Sequence, residues 1–233
     1  MTIDPADVKR FWDERAARHA DDPGLTNLEE NPELRDLKIA LEEARVADYL
    51  GTLREESIVL DLGGGYGVWA FKIAPAVAHV DVVDFCAPLV ERGTAKAAEL
   101  AVNNVTFTHA AAQDFTSTRS YDLVFISGLL LYLNNDELDL LLDRIASYTH
   151  AGSVVLLRDG TGVPDHYEIT KRWSEALQAN YAAIYRTRDE YLAAFARSGY
   201  ACVRDDDMFE AGCVLNKFPE TRLRIYRFVR LPS

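Results

Sequence analysis

The chain has few cysteines, and their arrangement excludes two classes of protein. Its 233 residues include only Cys86, Cys202 and Cys213, and no two of these form a C-x-x-C pair. A sparse, odd set of thiols is typical neither of a disulfide framework nor of a zinc site. We therefore predict no metal and a location in the reducing cytoplasm.

Long apolar runs and clusters of basic residues are also missing. No segment is apolar enough to cross a membrane, and the N-terminal stretch MTIDPADVKRFWDERAARHADD alternates charge too densely for a signal peptide. Lys and Arg number 25 against 37 Asp and Glu, a formal net charge of −12. Proteins that bind nucleic acid tightly present a basic face to the phosphates. We predict neither a nucleic-acid partner nor a membrane partner.

The N-terminal quarter of the chain reads as helical. Periodicity predicts an amphipathic helix over residues 4–20 and a clearer one over Pro32–Leu50. Asn31 can cap the second helix, proline suits its first turn, and Gly51 can end it. Four apolar residues of this helix share one face: Leu34, Leu37, Leu41 and Ala44.

Strand-like and helix-like segments then alternate. Apolar runs predict strands over 57–62, 79–85, 105–109, 121–127 and 153–158, with helices over 68–74, 88–102 and 136–148 between them. Strands separated by helices indicate β-α-β units and a parallel sheet that is covered on both faces. The chain is therefore predicted to be an α/β protein.

The C-terminal part follows a different pattern. Residues 165–184 carry a helical pattern rich in Tyr, Arg and His. Thr187 and Glu190 form the capping box of a further helix over 188–198. The segments 200–209 and 222–230 read as two strands, which we expect to be antiparallel.

Four glycines in five positions directly follow the first predicted strand, in the sequence VLDLGGGYG. Glycine loses backbone entropy on folding, so such a cluster indicates unusual dihedral angles or a ligand lying against bare backbone. A P-loop is excluded because no lysine stands in the required place. The G-x-G-x-x-G pattern of dinucleotide folds also fails, because Val68 occupies the third glycine position.

The spacing that is present, Asp61-x-Gly63-x-Gly65-x-Gly67, resembles the first motif of the class I S-adenosyl-L-methionine-dependent methyltransferases. The resemblance covers about residues 55–160, more loosely the C-terminus, and points to the branch that acts on small molecules. It implies a single domain over 1–233 with a Rossmann-like, seven-stranded, mostly parallel sheet, a reversed C-terminal strand and helices on both faces. Residues 1–50 would form an N-terminal helical cap, and 160–186 would cover the substrate.

The resemblance also implies how the cofactor is held. Asp61 would attract the ammonium group of the methionine moiety, while the backbone of Gly63, Gly64 and Gly65 would lie against the ligand. The second strand ends at Asp84, whose carboxylate would accept hydrogen bonds from the two ribose hydroxyls. Phe85 would pack on the adenine. Asp81 is a competing candidate for the ribose, but it lies in the middle of the strand.

Two further groups of cofactor contacts follow from the same resemblance. The family often has an aspartate after its third strand, where this chain has Ala111. The backbone of Ala112, or the side chain of Gln113 or Asp114, would substitute for it. The tip of the fourth strand would line the methyl group with Ser127, Gly128 and Leu129.

The catalytic signature is weaker than the cofactor signature. Methyl transfer from a sulfonium is an in-line displacement in which the protein mainly aligns the reactants. A general base is needed only when the acceptor must lose a proton early. We name Tyr132 and His166 as candidate catalytic residues and four candidates for substrate binding: Trp12, Arg158, Tyr185 and Arg186.

The sequence thus predicts methyl transfer to a nitrogen or oxygen of a polar small molecule by a monomer or a homodimer. Two alternatives stay open. The fold also serves methyltransferases of proteins and peptides, with which the acidic charge is compatible. A cofactor-binding scaffold without catalysis is the second alternative.

Overall fold

The computed structural model describes residues 2–19, 22, 24–51, 53–175 and 177–232. Two helices come first, α1 (Pro5–Arg18) and α2 (Pro32–Leu50). The Asp4 side chain accepts a hydrogen bond from the Ala6 amide, and the Asn31 side chain accepts one from the Leu34 amide. These side chains satisfy amide groups that the first helical turn leaves without a partner. Both predicted N-terminal helices are confirmed.

A seven-stranded sheet forms the centre of the molecule, and its strands alternate with helices in the first part of the chain. The elements are β1 (Ile58–Leu62), α3 (Val68–Ile73), β2 (His79–Asp84), α4 (Ala87–Glu99), β3 (Val105–His109), β4 (Tyr121–Ser127), α5 (Asn135–Ser147), β5 (Thr149–Gly162), β6 (Tyr167–Ser174), β7 (Ala179–Tyr185), α6 (Arg188–Arg197), β8 (Tyr200–Asp207) and β9 (Thr221–Arg230).

The strand order of the sheet is β3-β2-β1-β4-β5-β9-β8. The first five strands of this order pair in parallel, and β9 is antiparallel to both of its neighbours, β5 and β8. Apolar side chains fill both faces of the sheet, beneath α5 and α6 on one side and beneath α3 and the end of α2 on the other. The predicted fold, with its reversed C-terminal strand and helices on both faces, is confirmed.

The prediction of a helix over 165–184 is wrong, because this segment forms the two-stranded antiparallel ribbon β6–β7. Its β-branched and aromatic side chains suit a strand. The ribbon also packs on α1, where Arg18 donates to the Leu177 carbonyl over 3.3 Å and Lys171 lies 3.0 Å from Asp7. A helical period within the segment is thus overridden by pairing and packing.

The buried face of α2 includes a charged residue. Its buried residues are Glu42, Val46 and Tyr49, whereas Leu37 and Leu41 are 41% and 37% exposed. The apolar face predicted from the sequence therefore exists, but it points away from the core.

Candidate active site

A cavity of about 1000 Å³ opens at the carboxyl ends of β1, β2, β4 and β5. This is the edge at which open α/β sheets bind their ligands. The helices α1 and α2, the ribbon β6–β7 and the segment between β8 and β9 contribute its other walls. Its volume lies at the upper end of the range for small-molecule sites, which leaves room for two ligands side by side.

The glycine turn forms the floor of the cavity. Gly63, Gly65 and Gly67 have φ angles of +69°, +57° and +85°, a region that favours glycine. The Gly63 amide donates to the Val83 carbonyl over 2.8 Å, which fixes the turn to β2. At Gly64 a side chain is excluded by a steric clash, because a Cβ atom there would lie 2.7 Å from the Asp61 carboxyl carbon.

Asp61 lies at the end of β1, lines the cavity and is 1% exposed. Neither of its carboxylate oxygens accepts a well-formed hydrogen bond from a described side chain. Burial, together with the nearby charge of Asp84, raises the pKa of Asp61 to about 7. A buried carboxylate of this kind is satisfied by a cationic group from a ligand, and an ammonium group beside the glycine turn fits this requirement.

Asp84, at the end of β2, also lines the cavity and is 7% exposed. Its two oxygens accept hydrogen bonds from the amides of Gly65, over 2.9 Å, and Cys86, over 2.8 Å. Burial raises the pKa of Asp84 above its usual value. Each oxygen keeps a second lone pair. The carboxylate can therefore hold the glycine turn and still accept hydrogen bonds from the two hydroxyl groups of a ligand diol.

The competing candidate, Asp81, lies away from the cavity. Its carboxylate accepts a hydrogen bond from the Tyr121 hydroxyl over 2.9 Å and contacts the His79 ring at 3.1 Å. The sequence offered two aspartates of β2 as candidates for binding the ribose. Of these two, only Asp84 lines the cavity.

The tip of β4 brings the next predicted residues to the same edge. Ser127, Gly128 and Leu129 all line the cavity. The Gly128 amide donates to the Arg158 carbonyl over 2.8 Å, and Leu129 lies against Gly63. Phe85 and Trp12 complete this part of the wall, in one apolar cluster with Tyr132.

A row of three tyrosines borders the cavity beyond this tip. The hydroxyl of Tyr181 lies 3.4 Å from that of Tyr132 and 3.4 Å from that of Tyr185. Burial raises the pKa of all three phenols. They are therefore neutral hydrogen-bonding groups at physiological pH, and Tyr132 is not poised to act as a base. The pairing of β6 with β7 places Tyr181 and Tyr185 beside Tyr132.

Arg158, one of the predicted substrate residues, lines the cavity together with two charged residues of α2 that were not predicted. Arg158 donates to the Ser127 hydroxyl over 3.0 Å and forms an ion pair with Glu42. Lys38 lies one helical turn before Glu42, 3.9 Å from it, and burial lowers the pKa of Lys38 to about 8. The signal available in the sequence was the i, i+4 spacing of these two opposite charges on one helix.

Three predicted site residues lie elsewhere. Ala112 is 7% exposed and packs into the hydrophobic core beneath the sheet, and neither it nor Gln113 lines the cavity. His166 lies at the surface between Glu190 and Glu168, at 2.9 Å from each, and these carboxylates raise its pKa against the effect of burial. The placement of these residues does not support a role in catalysis or cofactor binding.

Arg186 also requires a correction, because it does not line the cavity. It is 2% exposed, and its guanidinium donates to the carbonyls of Leu130 and Leu133 over 2.9 and 2.7 Å. Its other hydrogen bonds go to the side chain of Asn135. The substrate-binding role predicted for Arg186 is therefore replaced by a structural one: it holds the turn that carries Tyr132.

Asp159 holds the same turn from the other side. It is completely buried, and its carboxylate accepts from the amides of Leu131, over 3.0 Å, and Gly160, over 2.9 Å. Burial raises its pKa to about 7.

If the cavity serves the methyl transfer that the sequence predicts, Arg186→Lys should slow that reaction while leaving the affinity for S-adenosyl-L-homocysteine within about twofold of the wild-type value. Lysine cannot reproduce the fork of donors to two carbonyls, so the turn loosens, at a cost of about 1.5–3 kcal/mol of stability. Thermal unfolding, calorimetric titration and steady-state kinetics measure the three effects. Arg188→Lys, at an exposed ion pair with Asp205, is the matched control. An unchanged rate in Arg186→Lys would contradict this role.

Comparisons with known proteins point to one family. Residues 59–152 match a family model described as a methyltransferase domain. Phosphoethanolamine N-methyltransferase 1 of Triticum aestivum is 31% identical over 107 residues, which cover 43% of this chain and 21% of that protein. The protein of that name from Caenorhabditis elegans is 24% identical over 164 residues, 70% of this chain and 33% of that protein. The chain thus spans about a fifth to a third of the length of these relatives.

Solved structures share the whole fold. DhpI in complex with S-adenosylhomocysteine superposes with a TM-score of 0.69 at 18% identity, over 98% of this chain and 97% of that one. Phosphoethanolamine N-methyltransferase 1 of Haemonchus contortus, in complex with phosphoethanolamine and S-adenosylhomocysteine, gives 0.72 at 20% identity, over 98% of this chain and 49% of that one.

The fold is the Rossmann-like fold of these methyltransferase structures. Together with the match over residues 59–152, it confirms the resemblance to the class I S-adenosyl-L-methionine-dependent methyltransferases that the sequence indicated.

Two negative observations concern the described part of the chain. Within it, no helix is long and apolar enough to cross a membrane. Among the same residues, no three His, Cys, Asp or Glu side chains are grouped as metal ligands.

Proposed function

We propose that this chain transfers the methyl group of S-adenosyl-L-methionine to a nitrogen or oxygen atom of a polar small molecule. The observation that carries the proposal is the buried carboxylate of Asp61, which accepts no well-formed hydrogen bond from a described side chain and lies beside a bare glycine turn. An amino-acid ammonium group satisfies it, and the adjoining diol acceptor, Asp84, suits a ribose. The cofactor complexes among the structural neighbours support the same ligand.

S-Adenosyl-L-methionine, when bound, supplies a methyl group already activated by the positive sulfur. The task of the protein is then to align the acceptor and to exclude water. Asp61 and the glycine turn hold the amino-acid end, Asp84 holds the ribose, and Phe85 packs on the adenine. Leu129 and Tyr132, held by Arg186 and Asp159, border the position of the methyl group.

The acceptor half of the cavity supports a small polar substrate. Tyr132, Tyr181 and Tyr185 offer neutral hydroxyl groups on an aromatic wall, which suits hydrogen bonding and contact with a cationic amine. The relatives that methylate phosphoethanolamine make amines the first acceptors to test. We also propose a cytoplasmic location, supported by three free thiols, and no nucleic-acid or membrane partner, supported by the charge of −12.

We expect wild-type protein to bind S-adenosyl-L-homocysteine in calorimetric titration and to transfer a labelled methyl group to at least one small amine. The acceptor panel includes phosphoethanolamine, ethanolamine, amino acids and their hydroxyl analogues. Transfer to a peptide substrate but to no small molecule would favour the protein methyltransferase, and cofactor binding without any transfer would favour a scaffold. Binding of a nicotinamide dinucleotide in place of the homocysteine compound would overturn the proposal.

A further inference from the structure

The outward face of α2 is an apolar surface that is not covered by any described residue. Leu34, Leu37, Leu41 and Ala44 lie within an arc of roughly 80° around the helix axis. Leu37 and Leu41 are 41% and 37% exposed. The buried residues of the helix, Glu42, Val46 and Tyr49, lie on a different face. A contiguous exposed apolar stripe is informative, because scattered surface leucines have no such pattern.

The apolar surface extends beyond the helix. The segment between β8 and β9 lies beside α2, where Arg45 and Glu210 form an ion pair at 3.0 Å. This segment exposes Val214 to 58%. The α2 helix alone is roughly 28 Å long, and a stable interface that buries about 800 Å² on each partner would also take in this segment.

We infer that this face binds a second copy of the same chain, with the two α2 helices antiparallel about a two-fold axis. If the axis crosses the apolar stripe midway between Leu37 and Leu41, Leu37 of one copy meets Leu41 of the other, and each Leu34 meets an Ala44. In each pair a leucine packs against another leucine or against an alanine, so the two helix surfaces can interdigitate.

The charges on α2 complement each other in the same register. Glu33 of one copy lies opposite Arg45 of the other at both ends of the helix pair. Glu33 makes no hydrogen bond or ion pair with a described residue, and Arg45 is paired only with Glu210, whose side chain is 88% exposed. A two-fold interface must be self-complementary in this way, because the same patch meets itself. The net charge of −12 disfavours an anionic lipid surface as the occupant.

The arrangement would link assembly to the active site. The same helix carries Lys38 and Glu42, which line the cavity. A second copy bound to the apolar face of α2 would restrict the movement of this helix and thereby of the cavity wall that it forms.

Sedimentation equilibrium of the full chain between about 1 and 100 μM tests the inference. We expect a dimer for the wild-type protein. Leu37→Glu should weaken dimerisation at least about 30-fold, because a central apolar residue is replaced in both copies. The matched control is Leu140→Glu, at a leucine of α5 that is 46% exposed, which should leave the dimer unchanged. Binding of S-adenosyl-L-homocysteine reports whether each variant is folded.

A charge exchange provides an independent test that leaves the apolar surface intact. Glu33→Arg and Arg45→Glu should each weaken the dimer, and the double variant should recover most of the loss, while Glu210→Gln controls for the existing ion pair. A wild-type protein that stays monomeric at the highest concentration would overturn the inference. So would a dimer that Leu37→Glu leaves intact, or a charge exchange without recovery. The outcome does not depend on whether any acceptor is methylated.

Discussion

Asp61→Asn is expected to weaken the binding of S-adenosyl-L-homocysteine by roughly ten- to a hundredfold, equivalent to about 1.5–3 kcal/mol. The substitution keeps the size of the side chain and removes the charge that would hold the ligand ammonium group. Calorimetric titration at pH 8 measures the loss. 5′-Methylthioadenosine, which lacks the amino-acid part, is the matched ligand: its affinity should change by less than about twofold.

The pH dependence of binding tests the same residue. In the free protein, burial and the charge of Asp84 raise the pKa of Asp61 to about 7. The ligand ammonium group favours the ionised carboxylate, so the pKa falls in the complex and binding releases a proton. Affinity for S-adenosyl-L-homocysteine should therefore rise with pH up to about 7 and level off above it. This dependence should be absent in Asp61→Asn, and a wild-type affinity that is flat between pH 5.5 and 8 would contradict the assignment.

Asp61→Asn should also stabilise the free protein above pH 7. At that pH the wild-type carboxylate is ionised and buried, with the charge of Asp84 nearby. Removing one of two buried charges that repel each other lowers the cost of folding. Thermal unfolding of the free proteins at pH 8 should give a higher midpoint for the variant, in contrast to its weaker ligand binding.

The second large effect is expected for Asp84→Asn, which should weaken binding of the same ligand by roughly ten- to a hundredfold. It should also lower the midpoint of thermal unfolding. The amides of Gly65 and Cys86 each need an acceptor, and an asparagine amide nitrogen would face one of them with a second donor. The glycine turn therefore loses a contact even before the ligand binds.

Asp81→Asn separates these two effects. Asp81 lies on the same strand but contacts Tyr121 and His79 outside the cavity. Its replacement should reduce stability and leave ligand affinity unchanged, as measured by unfolding and calorimetry. Equal losses of affinity in the Asp81 and Asp84 variants would mean that the ribose is not held by Asp84.

The glycine turn, Asp61 and Asp84 were predictable because their information is local. Strand, turn and helix follow one another within about twenty-five residues, and the residues that define the turn are neighbours in the sequence. The alternation of strands and helices similarly determined the parallel sheet, since such connections have few solutions.

The acceptor half of the site depended on the tertiary structure. The helical period of 165–184 gave way to a ribbon whose pairing brings Tyr181 and Tyr185 to the cavity. In the same way Arg186, next to Tyr185 in sequence, faces carbonyl groups of a turn about fifty residues earlier in the chain. A short sequence motif can indicate that such residues are important, but it does not predict which groups they contact in the folded protein.

The two faces of α2 illustrate the same limit. The sequence by itself determined that Leu34, Leu37, Leu41 and Ala44 share a face and that Lys38 and Glu42 share another. Only the packing of the helix against the sheet decided that the charged face covers the cavity and the apolar face points outward. Periodicity fixes which side chains of a helix lie together, whereas long-range contacts fix what lies opposite them.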